Sequence, residues 1–211
     1  MKTENFSKTK IKICGLRRRE DILAVNEANP DYCGFIVEFP KSFRSVTADE
    51  VRKLVKDLSP EIQPVGVFVN ASMELVRSLL DDGTLAMAQL HGQENESYIA
   101  ELKAHTDKTV IKAFSIKTAD DMENALQSPA DYILLDQGSG GTGKTFDWSL
   151  IPKIERPFFL AGGIGEENLE QAIREIHPFA VDLSSSVETE KWKDPEKIRR
   201  AVDIVRKAVQ D

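Results

Sequence analysis

The sequence predicts an α/β protein that folds as a single-domain (β/α)8 TIM barrel. Short apolar runs recur along the chain, the segments between them carry apolar residues at helical spacing, and polar or charged residues follow the runs. Eight strand–helix units within 211 residues fit one small closed barrel. The eight runs are residues 10–14, 32–37, 64–69, 85–90, 109–114, 132–135, 158–161 and 179–183.

The runs are rich in Val, Ile, Leu and Phe, as expected for parallel strands covered by helices. Helix signals lie between them, beginning with an apolar stripe at 19–28. Thr47 and Glu50 form a capping box, and Ser72 opens a helix that Gly83 ends. Helical spacing returns at 120–126, 166–176 and 195–209, the last with Pro195 at its first position.

The sixth unit has the weakest helix, because residues 146–154 are few and Pro152 interrupts them. The connection before this helix, residues 137–145, is the richest in glycine. A glycine-rich excursion after a barrel strand predicts a ligand-binding loop.

Charge and composition exclude several classes of function. The net charge of −7 argues against a nucleic-acid surface, although one locally positive loop can still bind a small anion. No span approaches the roughly 18–20 apolar residues that cross a bilayer, so no membrane contact is predicted. Residues 1–9 are polar and are interpreted as a lead-in to a barrel at 10–211. No feature predicts an oligomeric state.

The chain has two cysteines, Cys14 and Cys33, and neither belongs to a cluster with metal-ligand spacing. No metal site is therefore predicted. Two cysteines in a chain of this length do not indicate a disulfide framework, which favours a reducing, cytoplasmic location.

Function in this fold is carried by the loops after the strands. These loops include K-I-C-G at 12–15, F-P-K-S-F-R at 39–44, Q-L-H-G at 89–92 and G-G-T-G-K-T-F-D-W at 140–148. Together and in this order, from residue 10 to the last helix, they resemble the phosphoribosylanthranilate isomerase family of tryptophan biosynthesis.

The resemblance implies an intramolecular oxidoreductase, an aldose–ketose isomerase. Its phosphosugar substrate is N-(5-phosphoribosyl)anthranilate, converted by an Amadori rearrangement to 1-(2-carboxyphenylamino)-1-deoxyribulose 5-phosphate. No metal or organic cofactor is expected, because the iminium formed from the substrate is itself the electron sink. A related barrel isomerase of the histidine pathway has an aspartate where this chain has Cys14, so the cysteine favours the tryptophan-pathway substrate.

Cys14 is the candidate general base. A free cysteine is most often a small buried hydrophobe, but Cys14 stands at the carboxyl end of a strand and precedes a glycine. A thiol acts as a base only as the thiolate, and Lys12, on the same strand face, or a helix N-terminus is expected to favour that form. The resemblance implies the base role. Cys33 is interpreted as core.

Asp136 is the candidate general acid. Its carboxyl group emerges from an apolar strand, an environment suited to proton donation near neutral pH, although a cap or a salt-bridged loop aspartate is an equally good interpretation. The resemblance implies the acid role. Cys14 and Asp136 are then expected on opposite sides of the barrel mouth.

Substrate-binding residues follow other strands. The planar fork of Arg44 suits a carboxylate, and the resemblance implies that it binds the anthranilate carboxylate. His91 is expected to order the pocket floor, with Gln89 and Asp182 as supporting residues or partners of substrate hydroxyls.

The phosphate site is expected from the last two strands, as is common in barrels. Its candidate residues there are Gly162, Gly163, Ser184 and Ser185, and the resemblance adds Gly141, Thr142 and Gly143. The family usually reads S-S-G-V-E after strand eight, whereas this chain has Ser186 in place of the glycine. This side chain is expected to crowd the phosphate or to force a different backbone angle.

Two other functions compete. Residues 138–145 read G-S-G-G-T-G-K-T, which satisfies the P-loop pattern. A P-loop needs a long helix at its Lys-Thr pair, and Pro152 follows too soon. The other alternative is a non-catalytic barrel that binds phosphosugars without turnover.

Overall fold

The computed structural model describes residues 8–136, 148, 151–152 and 154–208. In this part of the chain, eight parallel strands form a closed barrel, which confirms the predicted fold. A short ninth strand extends this sheet. A separate two-stranded hairpin lies later in the chain, after the last barrel strand. The strands are β1 Lys10–Cys14, β2 Tyr32–Val37, β3 Ser45–Val46, β4 Gln63–Phe68, β5 Met87–Leu90, β6 Thr109–Ser115, β7 Tyr132–Asp136, β8 Phe158–Leu160, β9 Ala180–Leu183, β10 Glu188–Thr189 and β11 Trp192–Lys193.

Closure of the barrel depends on β1, which pairs in parallel with β2 on one side and with β9 on the other. Because the barrel strands all run in one direction, their carboxyl ends form a single mouth. Going around the barrel, β7 is three strands from β1 by way of β9 and β8. Cys14 at the end of β1 and Asp136 at the end of β7 therefore lie on far sides of the same mouth.

Seven helices are described, and those with strong caps agree best with the sequence. Thr47 accepts from the Glu50 N–H while Glu50 bonds back to Thr47, and Ser72 accepts from the Leu75 N–H. The helices are α1 Arg19–Ala28, α2 Ala48–Val55, α3 Met73–Asp81, α4 Glu96–Ala104, α5 Ala119–Gln127, α6 Leu169–Ile176 and α7 Pro195–Ala208.

Two helices differ from the prediction. Helix α6 begins at Leu169 rather than at residue 166, because Asn168 closes a turn by accepting from the Gly165 N–H and donating to the Gly163 carbonyl. Helix α4 has no counterpart in the predicted helices, although Asn95 caps it by accepting from the Tyr98 N–H.

The strand residues divide between two cores by the alternation of inward and outward side chains. Ile11, Ile13 and Cys33 face the helices and are buried there, which confirms Cys33 as a core residue. The apolar part of the barrel interior consists of Tyr32, Val65, Met87, Ile111, Leu134, Phe159, Ala161 and Ala180. Further along the strands, the inward positions become polar and form the mouth.

The lead-in is described only from residue 8. The glycine-rich segment 137–147, which includes Gly141, Thr142 and Gly143, lies outside the described residues, as does most of the predicted helix at 146–154. Among the described helices, none has the length and apolar character needed to cross a membrane.

Candidate active site

Cys14 lies at the centre of a compact arrangement at the end of β1. Its neighbour across the strand pair is Gly34, where a Cβ atom would lie 2.8 Å from Cys14 Sγ and 3.1 Å from Lys12 Nζ. Only glycine leaves room for both groups at this position. The sequence of β2 thus opens the space that the thiol and the ammonium share.

Lys12 is fully buried and forms an ion pair with Asp182, with Nζ 2.9 Å from Oδ2. Burial lowers the pKa of Lys12, but the nearby Asp182 and Cys14 outweigh this effect and raise it overall. Burial also raises the pKa of Asp182, against the attraction of Lys12. Asp182 is therefore the main partner of the Lys12 ammonium group.

The surroundings of Cys14 favour the thiol over the thiolate. Burial raises its pKa above the ordinary value of 9.0, and Asp182 raises it further, whereas Lys12 and Lys193 lower it without reversing the shift. The expectation that Lys12 favours the thiolate is thus only partly correct. Lys12 acts in the predicted direction, but its partner Asp182 and the loss of hydration outweigh it.

Replacing Asp182 with asparagine is expected to lower the pKa of Cys14, because it removes a negative charge and releases Lys12 towards the thiol. Thiolate absorbance in the ultraviolet, followed against pH with a Cys14→Ser protein as the blank, measures this shift. Lys12→Met should move the same titration to higher pH. An Asp182→Asn protein whose thiol titrates at or above the wild-type pH would contradict this account.

Asp136 lies beside His91 at the opposite side of the mouth, with His91 Nε2 3.7 Å from Asp136 Oδ2. The Gln89 side-chain amide donates to His91 Nδ1 at 2.9 Å, which leaves the proton on Nε2, facing Asp136. Burial lowers the pKa of His91, and the charges of Lys12 and Lys112 lower it further against the opposing effect of Asp136. The ring is therefore neutral.

His91 lines the cavity at its rim, and its predicted role in ordering the pocket floor stays a prediction. Its side chain is 37% exposed and stands at the rim, because it follows the last residue of β5 rather than lying within the strand. The residue below it, Gln89, is buried and holds the ring. Gln89 thus acts as the supporting residue that was predicted for this position.

A cavity of about 460 Å³ opens at this side of the mouth, a size that suits a small organic ligand. Its wall contains a buried ion pair between Lys112 Nζ and Glu94 Oε2 at 3.0 Å. Lys112 also donates to the Gly92 carbonyl, and Glu94 accepts from the Gly92 and Asn70 N–H groups. These contacts fix the loop that carries His91.

Three buried oxygens at the mouth have no hydrogen-bond donor among the described residues: Gln89 Oε1, Asp136 Oδ1 and Asp182 Oδ1. Buried acceptors without donors cost free energy, so a water molecule or a ligand group is expected to donate to them. The three come from β5, β7 and β9 and can accept hydrogen bonds from hydroxyl groups of a sugar.

Arg44 reaches the mouth from the loop between β2 and β3. The pairing of β3 with β2 and the hydrogen bond from the Phe39 N–H to Ser45 Oγ hold this loop. The side chain is 19% exposed and lies across Gly15, where a Cβ atom would be 2.6 Å from Arg44 Cδ. Arg44, which is predicted to bind a carboxylate, is thus held in place beside the end of β1 and is mostly shielded from solvent.

The predicted phosphate residues of the last two strands come together. Gly162 and Gly163 follow β8, Ser184 and Ser185 follow β9, and these strands are paired neighbours. Ser184 Oγ donates to the Cys14 carbonyl at 3.0 Å, which ties the end of β9 to the end of β1.

Residues 11–204 match the protein family described as N-(5'phosphoribosyl)anthranilate (PRA) isomerase. The chain belongs to the phosphoribosylanthranilate isomerase family. It is 45% identical to the N-(5'-phosphoribosyl)anthranilate isomerase of Endomicrobium trichonymphae over 93% of this chain and 98% of the relative. The corresponding Clostridium acetobutylicum protein is 43% identical over 94% and 98% of the two chains.

Solved structures of phosphoribosyl anthranilate isomerases share the fold. The Thermotoga maritima enzyme superposes with a TM-score of 0.86 at 36% identity, covering 94% of this chain and 99% of the other. A second structure, with a TM-score of 0.83 at 35% identity over the same shares, holds reduced 1-(o-carboxyphenylamino)-1-deoxyribulose 5-phosphate. Because residues 138–145 lie inside the isomerase family match, the P-loop interpretation of this segment is no longer supported.

Ser186 departs from the usual isomerase family motif without straining the backbone. It lies in the 3₁₀ turn Ser185–Val187, is exposed, and is not among the described residues with positive φ. The turn thus has a conformation open to any residue, and the effect of Ser186 on the phosphate stays a prediction.

Ser186→Gly is expected to leave KM for the phosphosugar within about twofold of wild type and to lower stability by about 0.5–1 kcal/mol through backbone entropy. Steady-state kinetics and thermal unfolding measure the two effects. A KM that falls tenfold would show instead that the Ser186 side chain crowds the phosphate.

No role was predicted from the sequence for two charged residues near the mouth, Glu188 and Lys193. They face each other across the β10–β11 hairpin, and both side chains are almost fully buried. Lys193 lies just before the start of α7 in a charged stretch, where a lysine side chain is normally exposed to solvent. Nothing in that pattern signals its burial.

Proposed function

We propose that this protein converts N-(5-phosphoribosyl)anthranilate to 1-(2-carboxyphenylamino)-1-deoxyribulose 5-phosphate in tryptophan biosynthesis. Membership of the isomerase family over residues 11–204 carries the proposal. Cys14 and Asp136, which end strands on far sides of one polar mouth, support it. The two free, buried cysteines fit a cytoplasmic location.

The first step is opening of the furanose ring. Asp136 gives a proton to the ring oxygen, and the ring opens to a protonated Schiff base between the sugar C1 and the anthranilate nitrogen. The carboxylate left on Asp136 lies 3.7 Å from His91 Nε2.

The second step is proton transfer from C2 of the sugar to the Cys14 thiolate. Cys14 must first lose its thiol proton, which passes to solvent. The cationic Schiff base formed in the first step favours this loss, because its positive charge stabilises the thiolate. The electron pair of the C2–H bond moves into the C1–C2 bond, and the iminium accepts the displaced electrons. The resulting enolamine tautomerises to the ketone.

Binding is divided around the mouth. Arg44 holds the anthranilate carboxylate, and the loops after β8 and β9 hold the phosphate, together with Gly141, Thr142 and Gly143. Gln89 and Asp182 accept from the sugar hydroxyls, since each has a buried oxygen without a donor in the described part of the chain. Lys12 keeps Asp182 in place through the 2.9 Å ion pair.

A fluorescence assay of purified protein tests the function by following consumption of phosphoribosylanthranilate. Turnover without added metal or nucleotide is expected. Binding of a substrate analogue with no turnover would support the non-catalytic phosphosugar barrel instead. Calorimetry with Mg-ATP is the check on the P-loop alternative, for which we expect no binding.

A further inference from the structure

Two cations share one carboxylate at the Arg44 side of the mouth. Arg44 Nε lies 2.7 Å from Glu188 Oε1, and its Nη2 lies 2.8 Å from Oε2. Lys193 Nζ lies 2.8 Å from Glu188 Oε1 and donates to the Ser184 carbonyl at 2.9 Å. This cluster joins the loop after β2, the end of β9 and the β10–β11 hairpin.

The geometry of the Arg44–Glu188 pair leaves part of the guanidinium open. Glu188 occupies the side of the fork formed by Nε and Nη2. No acceptor among the described residues hydrogen-bonds to Nη1 of Arg44, so the end formed by Nη1 and the second hydrogen of Nη2 can bind another carboxylate in a bidentate manner.

The charge of the cluster also suits an anion. Burial opposes ionisation of Glu188, but hydrogen bonds from Arg44 and Lys193 outweigh it and hold the pKa of this carboxyl below its usual range. Burial lowers the pKa of Lys193, whereas the ion pair with Glu188 raises it. With Lys193 charged, one carboxylate faces two cations, which leaves one net positive charge. Without Lys193, Arg44 and Glu188 would neutralise each other and attract no anion.

The contacts of the hairpin other than the Glu188–Lys193 ion pair do not involve the Glu188 carboxylate. The two strands of the hairpin pair with each other, Thr189 Oγ1 donates to Asp194, and Lys197 donates to the Glu188 main-chain carbonyl. The buried side chain of Glu188 instead points to Arg44, 144 positions earlier in the chain. A purely structural role of the carboxylate in the hairpin leaves this contact unexplained.

We propose that Glu188 and Lys193 are positioning residues that hold Arg44 over the end of β1 and keep its open fork net positive for the ortho-carboxylate of the substrate's aromatic ring. The proposal rests on the proposed function, because it concerns how that substrate is recognised. It assigns the selectivity for carboxylated aromatic amines to a three-residue cluster rather than to Arg44 alone.

Two ligands separate this role from general structural support: the reduced product analogue with its ring carboxylate, and the same compound with a plain phenyl ring. Glu188→Gln is nearly isosteric and raises the net charge of the cluster by one. Charge alone therefore predicts tighter binding of the carboxylated ligand. The proposal predicts the opposite: calorimetry should find that the carboxylated ligand binds roughly tenfold more weakly, because Arg44 is no longer oriented. The affinity for the phenyl ligand should not change.

Lys193→Met is the second variant, because it leaves Glu188 paired with Arg44 and removes the net charge. It should weaken only the carboxylated ligand, and Arg44→Ala sets the maximal loss. The matched control is Glu94→Gln, which breaks the other buried Lys–Glu pair of the mouth and should not change the ratio of the two affinities. In turnover, Glu188→Gln should raise KM and leave kcat near wild type.

An unchanged affinity ratio in both folded variants, or tighter binding by Glu188→Gln, would overturn the proposal. Equal weakening of both ligands would do the same, since it indicates a structural role. The result is independent of the proposed function, which wild-type turnover tests. A wild-type protein that is inactive but binds the ligand pair with the expected ratio would overturn the function and keep the cluster.

Discussion

Cys14→Ala is expected to lower kcat by roughly 10²–10⁴-fold while the protein remains folded, because a positioned general base contributes about this much to a proton transfer. The substitution removes one sulfur atom next to Gly34 and leaves the Lys12–Asp182 ion pair in place. Cys14→Ser should be similarly impaired, since a serine hydroxyl keeps the shape but ionises far less readily than a thiol. Stopped-flow or steady-state fluorescence of substrate consumption gives kcat.

The other cysteine is the matched control for this prediction. Cys33 faces the helices rather than the mouth, so Cys33→Ala should cost some stability and leave kcat close to wild type. Circular dichroism and thermal unfolding verify that all variants are folded. Near wild-type turnover by Cys14→Ala would remove this residue from the mechanism.

Asp136→Asn should also lose roughly 10²–10⁴-fold in kcat, because an amide cannot give the ring oxygen the proton that opens the furanose. The change is isosteric, and Asp136 makes no ion pair with a permanently charged side chain in the described part of the chain, so folding should be preserved. The loss is expected in kcat more than in KM, since proton donation is needed in the transition state rather than for binding.

Asp131→Asn is a suitable control for the same chemical change. Asp131 lies just before β7, pairs with Lys103 at the surface and is far from the carboxyl ends of the strands. Its replacement should leave kcat unchanged. If Asp136→Asn retained wild-type kcat, the general acid would have to be another group, and the neighbouring His91 would be the first to examine.

The barrel was predictable because its determinants are local. Parallel strands covered on both faces are apolar runs in the sequence. Capping residues such as Thr47 and Ser72 mark the start of a helix through contacts with residues no more than four positions away. The two-residue strands β3, β10 and β11 were missed because such segments have no periodicity of their own. They are defined by the partner that they pair with.

Much of the site followed from the same logic. Once eight parallel strands are inferred, residues at their carboxyl ends must meet at one mouth, and Cys14, Gln89, Asp136 and Asp182 do so. His91 comes directly after β5, whose end at Leu90 agrees with the predicted run 85–90.

The order of residue types along this chain is enough to specify a barrel and to bring a thiol and a carboxyl group to one end of it. It does not specify the pKa of Cys14, which depends on burial and on the charges of Lys12 and Asp182. Nor does it specify the orientation of Arg44, whose partner Glu188 is in turn paired with Lys193. Lys12 and Asp182 are 170 positions apart, and Arg44 and Glu188 are 144 apart. Short-range periodicity carries no information about such contacts, and the burial that strengthens these charge interactions exists only once the chain has closed around them.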